Sequence, residues 1–232
     1  MILPVCVILL MYELIFGTSL WWALFGVLLF YPLHQLGFGI GTHKLLSHNA
    51  FEPKAWYPYV SAVIASVCFF GDPMQNVLVH RLHHRYADTE KDPHSPTKGR
   101  WHAFAGWILR YEPPANSIIL LRDIRERYPL LVTYRKIEWL IPILFHSLTF
   151  IINYELFLAF LLAAVLSILN GFFINAFSHN TKGEPTDSPW LARLVNPLFM
   201  HKYHHEKQKL HDYSTNDVKD FSAFVIEHFL KK

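Results

Sequence analysis

Apolar residues in this chain gather into runs with no polar stripe along them. Four runs stand out, at about 2–16, 20–42, 139–152 and 156–178. Gly17-Thr18-Ser19 separates the first pair and Asn153-Tyr154-Glu155 the second. A helix that is apolar all round needs an apolar environment all round, so each pair reads as a helical hairpin in a core or a bilayer. A bilayer crossing takes about 20 apolar residues. Runs one and three are short, roughly 21–23 Å at 1.5 Å per residue, and need tilt, local thinning or flanking residues to span. A polar stretch, 43–136, lies between the hairpins, and a tail, 179–232, follows them. Inside the polar stretch Trp56–Phe70 forms a further apolar run. A single crossing there would invert the charge pattern, so it reads as an interfacial or re-entrant helix.

The cations decide between core and bilayer. No Lys or Arg precedes Lys44, and none lies between Lys136 and Lys182; the two gaps are 43 and 45 residues long. Each gap fits two crossings and a tight turn. Glu13, Glu138 and Glu155, the acidic residues of the gaps, sit near turns or ends, where a charge is tolerated. Both turns lack cations while every Lys and Arg lies on the other side, so the basic face is expected in the cytoplasm. Buried core helices of a soluble protein are the alternative. Charged residues make up only 17% of the chain, against roughly 25% in an ordinary soluble domain. The start, Met-Ile-Leu-Pro-Val, has no basic region and does not read as a cleaved signal peptide. The expected architecture is all-α: one domain over 1–232, with transmembrane hairpins at about 2–42 and 139–178 and a cytosolic cap from about 43–136 and 179–232. Cys6 and Cys68 lie in apolar runs and read as packing residues, and a net charge of +3 gives no reason to expect nucleic acid.

Fifteen histidines are unusual in so charge-poor a chain, and they are grouped. His43 and His48 enclose Lys-Leu-Leu-Ser. His80, His83 and His84 form one His-x-x-His-His motif, and His201, His204 and His205 another. His179 follows the fourth run. On a helix, positions i, i+3 and i+4 share a face, so each motif is expected to present three imidazoles to one point. Asn175 and His179 are related in the same way. His43 and His48 diverge by about 140° on an ideal helix. They reach one centre only if the helix loosens between them; otherwise they serve two. Imidazole is a general ligand for Zn, Cu, Fe and Ni, and nine donors exceed the needs of one ion, so two metal ions are expected. The isolated His34, His146 and His228 read as packed or hydrogen-bonded residues, while His94, His102 and His211 lie near enough to the clusters to support ligands. No His-Glu-x-x-His or phosphate-binding glycine loop is present, and neither triple motif carries a carboxylate to act as base. Oxygen activation suits this set better than hydrolysis.

Gly41-Thr-His-Lys-Leu-Leu-Ser-His48 and the run from His80 to Pro96, His-Arg-Leu-His-His-Arg-Tyr-Ala-Asp-Thr-Glu-Lys-Asp-Pro-His-Ser-Pro, resemble the membrane fatty acid desaturases of the stearoyl-CoA, or Δ9 acyl-CoA and acyl-lipid, type. Gly106-Trp107, Asn175 with His179, and His201-x-x-His-His205 resemble further elements of that family, and the likeness runs from about 20 to 215. It implies a non-haem di-iron oxygenase with four membrane helices and a cytosolic cap, which uses O2 and two electrons to desaturate an acyl chain. Its ligands would be His43, His48, His80, His83, His84, His179, His201, His204 and His205, with Asn175 binding through a water. The chain departs from the family pattern at Pro197-Leu-Phe-Met200, Lys202, Ala176 and Gly71–Asn76. These changes spare the ligands and bear on substrate and regiochemistry.

A reaction at an unactivated methylene needs the acyl chain, carried by CoA or a membrane lipid, held in an apolar tunnel away from water. Trp, Phe and Leu of runs two and four and of Trp56–Phe70 are its expected lining. Asp88, Asp92, Asn180 and Asp212 are candidate partners for the imidazoles, and Arg81 and Arg85 for such carboxylates or an anionic partner. No electron-carrier segment is visible, which implies a separate donor such as cytochrome b5 or ferredoxin. A hydroxylase on the same scaffold, a catalytically silent metal- or lipid-binding membrane protein and a zinc hydrolase remain alternatives.

Overall fold

A computed structural model of the chain describes residues 19–87, 89–180 and 182–232, with 11 and 17 besides. The run expected over 2–16 and the candidate Asp88 lie outside the described residues. Helix α1 (Leu20–His34) continues without a break into a wide-turned π-helical stretch, Gln35–Ser47. After it come α2 (Tyr57–Val67), α3 (Pro73–Tyr86), and the short α4 (Arg100–Phe104), α5 (Arg122–Arg127) and α6 (Pro129–Tyr134). Then α7 (Leu140–Ile152) and α8 (Tyr154–Phe177) form a hairpin, followed by α9 (Pro189–Leu194), α10 (His201–Glu206) and α11 (Phe221–Val225). Pairings of strand type among the described residues are isolated bridges, so the all-α expectation holds.

The apolar pattern translates closely into α7 and α8. Their boundary is Asn153, whose extended backbone ends α7 and whose side chain accepts the Leu156 N–H to cap α8. At the other hairpin the outcome differs from the expected boundary at 42. The helix carries on to Ser47, so the first histidine pair rides on the same rod as the apolar run. Two described helices are long and apolar enough to cross a membrane, Leu20–Ser47 and Tyr154–Phe177, while Leu140–Ile152 is shorter.

Close approach of these rods depends on glycine. A Cβ at Gly26 would lie 2.7 Å from the Ala159 carbonyl oxygen, and one at Gly37 would lie 2.7 Å from the Ala65 backbone nitrogen. Small residues thus let α1 meet α8, and let the π-helical stretch lie on α2, at backbone distance. The outward face of α2 carries Trp56, Val60 and Val63, and its inner face Tyr57, Ser61, Ala62 and Ala65. The main core joins Ile40, Leu45, Leu46 and Tyr57 to Val77 and Leu82 of α3 and to Ile226 and Leu230 near the end of the chain. That end is stitched back by Lys54 N–H to the Leu230 carbonyl at 2.8 Å and Lys232 N–H to the Glu52 carbonyl at 3.0 Å.

Candidate metal centre

Four elements bring the histidines to one end of the α1–α8 pair. The π-helical stretch supplies His43, and His48 stands at its end. The divergence expected of residues five apart does not arise, because an i→i+5 bonding pattern stacks them. The His48 N–H bonds to the His43 carbonyl at 3.3 Å, closing such a turn between the two side chains. Helix α3 is started by Asp72, which accepts the Met74 N–H, with Pro73 in the first turn; it carries His80, His83 and His84. His179 lies just past α8. The turn Pro197–Phe199, capped by the Asn196 side chain on the Leu198 N–H, delivers the chain into α10 with His201, His204 and His205.

All nine histidines meet, in two groups: His43, His48, His80, His84 and His204; and His83, His179, His201 and His205. Each triple motif was expected to aim at one point. Instead both motifs divide. His80 and His84 serve the first group and His83 the second, whereas His201 and His205 serve the second and His204 the first. Helical geometry accounts for this. At about 100° per residue, i and i+4 are separated by about 40°, while i+3 lies about 60° to the other side. Two motifs facing each other therefore span two centres, each keeping an i,i+4 pair and lending its middle histidine across.

In both groups the converging atoms are Nε2. In the first, the separations are 2.8 Å (His48–His80), 3.0 Å (His80–His84), 2.9 Å (His84–His204) and 3.2 Å (His43–His204). In the second they are 3.2 Å (His83–His205), 3.1 Å (His201–His205) and 3.0 Å (His179–His201). Two nitrogens each about 2.1 Å from one ion and at right angles stand about 3 Å apart, so these spacings fit a metal. Three outer ring nitrogens agree. His83 Nδ1 donates to Asp92 Oδ1 at 3.0 Å, His179 Nδ1 to the Gly183 carbonyl at 2.5 Å, and His204 Nδ1 to the Tyr213 hydroxyl at 2.9 Å. A proton on Nδ1 leaves Nε2 bare and aims its lone pair inward. Burial, helped by the neighbouring imidazoles, holds His83, His201 and His204 well below the usual histidine range. Burial pulls His48 and His205 each down to about 3. All five are neutral, as ligands must be, at physiological pH.

Asn175 is not among the converging donors. It lines a cavity of about 20 Å3 between the groups, together with His43, His80, His83 and His201, and that is room for about one water. The same side chain lines a larger cavity of about 340 Å3, bounded by Phe38, Phe70, His80, Trp107 and Phe172.

Among the described candidate supports, Asp92 is seen on a ligand histidine, His83. Asn180 and Asp212 accept backbone N–H groups of their own turns. Arg81 pairs with Asp123 at 2.6 Å and donates to the Ser47 and Leu46 carbonyls, bracing the end of the π-helical stretch; Arg85 is exposed. His94 packs its ring 4.3 Å from that of His83. His102 donates to the Pro93 carbonyl and His211 pairs with Glu227, both away from the groups. His34, His146 and His228 bond to Asn170 and Asn196, the Val67 carbonyl and the Phe224 carbonyl respectively. One network had no signal in the spacing. Lys44, buried between His43 and His48, reaches Asp220 at 2.6 Å, Ser222 Oγ at 2.5 Å and the His211 carbonyl at 2.8 Å. Asp220 also accepts the Tyr213 N–H, which connects this ion pair to the hydroxyl beneath His204. Burial pushes the Asp220 carboxyl up, but the Lys44 ammonium together with hydrogen bonds from Ser222 and the Tyr213 N–H outweighs it and holds the group below the usual range.

No family model matches the chain. Over 88 residues it is 40% identical to a Delta-9 acyl-lipid desaturase 2 of Arabidopsis thaliana, a stretch covering 38% of this chain and 29% of that protein. It is 35% identical over 109 residues to an sn-1 stearoyl-lipid 9-desaturase of Anabaena variabilis, covering 45% and 40%. A Delta(9)-fatty-acid desaturase of Caenorhabditis elegans is 28% identical over 232 residues, covering 91% of this chain and 68% of the relative. The chain thus spans less than half the length of the first two. The resemblance read from the histidine motifs extends to curated proteins that carry the desaturase name.

Proposed function

We propose that this chain is an O2-dependent fatty acyl desaturase, which introduces a cis double bond into a saturated chain held as an acyl-CoA or a membrane lipid. The observation that carries the reading is the convergence of nine Nε2 atoms into two adjoining groups beside an apolar cavity. The nine histidines would hold two iron ions, and Asn175, which lines the small cavity between the two histidine groups, would act through a water. The irons supply the oxidising power drawn from O2, and the electrons come from a separate protein such as cytochrome b5 or ferredoxin. The whole of 1–232 is one domain with four membrane helices, its basic face and metal site on the cytoplasmic side.

The chain's own residues do the rest. Asp92, the Gly183 carbonyl and Tyr213 keep the Nδ1 protons in place and the Nε2 lone pairs directed inward. Phe38, Phe70, Val79, Ile168 and Phe172 give the larger cavity apolar walls, from which an acyl chain gains about 0.8 kcal/mol per CH2 buried from water. They also exclude water from the methylene pair beside His80 and Asn175. A polar head group stays at the basic face.

The test is expression with a competent electron donor in a host lacking its own desaturase, followed by gas chromatography of fatty-acid esters. A new monounsaturated acid, absent with His83→Ala, is the expected result. A hydroxylated acid would move the assignment to a hydroxylase, and identical profiles for the two proteins would end the enzyme reading.

A further inference from the structure

Phe69 has an unusual backbone. Helix α2 ends in a six-residue loop in which the Phe70 N–H bonds to the Ala65 carbonyl at 3.0 Å, and Phe69 occupies the left-handed position of that motif with φ +62°. Glycine normally sits there, because a side chain crowds the following carbonyl. A bulky aromatic residue held in such a conformation points to a task for its ring.

Phe69 is common to the linings of two spaces. One is the 340 Å3 cavity that reaches His80 and Asn175. The other is a groove of about 470 Å3 lined by Phe69, Trp139, Ile143, His146, Phe150 and Leu161. Trp139, just before α7, and Ile143 and Phe150 on it are exposed, and α7 is one of the helices that the proposed function puts in the bilayer. One face of α8 runs through both spaces: Phe157 and Leu161 line the groove, and Ile168, Phe172 and Asn175 line the cavity. Steps of four, seven, four and three residues keep these positions on a common stripe about 27 Å long. The ring rests on His146, stacked at 5.1 Å and 18°, and His146 Nε2 in turn donates to the Val67 carbonyl at 3.1 Å. Next to it, Phe70 stacks on Phe38 at 4.3 Å and has room because position 171 is glycine, where a Cβ would come within 3.3 Å of the Phe70 ring.

We infer that Phe69 is a gate between a lipid-facing groove and the metal-side cavity, through which the acyl chain of a membrane glycerolipid enters sideways from the bilayer. The inference rests on the desaturase reading and narrows it, since a chain that arrives through this gate remains esterified to its membrane lipid. Continuity selects that occupant. The groove opens where acyl chains already lie, it is apolar, and its α8 stripe ends on Asn175. When the ring stands on His146 the two spaces are separate; when it swings off, they merge along that stripe and an acyl chain can lie across both.

The test uses the full metal-loaded chain in phosphatidylcholine nanodiscs that contain a phosphatidylcholine with a mid-chain diazirine. A parallel arm uses an acyl-CoA bearing the same diazirine, and labelled peptides are mapped by mass spectrometry after illumination. The lipid probe is expected to label both the α7 segment around Phe150 and the Trp107–Tyr111 segment of the cavity. Phe69→Trp should lower the second label several-fold and spare the first. Phe69→Gly, which suits the backbone, should raise the second. Label confined to α7, or cavity label indifferent to both substitutions, overturns the gate. Cavity label from the acyl-CoA probe alone also overturns it while leaving the desaturase reading intact. Cavity label from neither carrier overturns both.

Discussion

At the scale of single residues, three imidazoles of the centre are steadied by what stands behind them. Tyr213 is the clearest case: fully buried, it offers its hydroxyl to His204 Nδ1 at 2.9 Å. Phe at this position keeps the ring and removes the acceptor. Losses of such partners commonly weaken metal binding 10- to 100-fold, so Tyr213→Phe is expected to release metal to a competing chelator at least ~10-fold more readily. Loss of that hydrogen bond should itself cost about 1–3 kcal/mol in the metal-free state, and unchanged chelator competition would remove Tyr213 from the support of the centre. The buried pair Lys44–Asp220 makes a different kind of prediction. Asp220→Asn leaves a buried ammonium without its counter-charge, at about 3–5 kcal/mol. Because the folded carboxyl lies below its unfolded value of about 3.9, its contribution is present in full above that pH and fades as the pH falls through the folded value. Thermal unfolding of wild type and Asp220→Asn should therefore differ most above about pH 4 and converge in acid. A constant gap across that window would contradict the sign of the shift.

At the scale of elements, what the sequence makes legible is what a period or a break can carry. The second cation-free gap gave the helices at 140–152 and 154–177 to within two residues, because uniformly apolar runs bounded by Asn153 and a polar flank leave little choice. The grouping of nine histidines was equally open, since spacing on a helix is a geometric statement. The widened turn from Gln35 to Ser47 was visible only as a problem, the five-residue separation of His43 and His48. Its end is braced by Arg81, which donates to the Leu46 and Ser47 carbonyls from another helix, a contact that no local pattern announces. The partition of each triple motif between two groups was likewise hidden, because it arises from two helices facing each other. The approach of this stretch to α2 can be probed directly. A methyl group at position 37 would meet the Ala65 backbone nitrogen at 2.7 Å, where no side chain can give way. Gly37→Ala should therefore lower stability by about 1–3 kcal/mol in thermal unfolding, as overpacking does elsewhere. An unaltered melting temperature would mean that the two elements separate without penalty.

Taken whole, the molecule is divided in its sources of order. One part is apolar rods packed at backbone distance through Gly26 and Gly37, with no ion among their contacts. The other is a polar assembly in which the π-helical stretch, α3, α10 and the segment after α8 meet through imidazoles. Opposed Nε2 lone pairs about 3 Å apart repel each other unless a cation lies among them. The histidine end is thus the part of the fold whose cohesion depends on an added group, while the Lys44–Asp220 pair and the stitched chain end hold its outer rim. Because each triple motif lends a histidine to both groups, emptying one group also loosens the helix that serves the other. Metal should then stabilise the protein by mass action, with the two ions coupled. Titration of the loaded protein with a chelator is expected to lower its melting temperature as metal leaves, and His179→Ala, which removes a donor from the second group alone, should also weaken retention in the first. That weakening is best read as metal content per chain against free chelator: a single cooperative loss in wild type, shifted as a whole in the variant. Two independent losses, with the five-histidine group indifferent to His179, would show that shared helices do not couple the two groups.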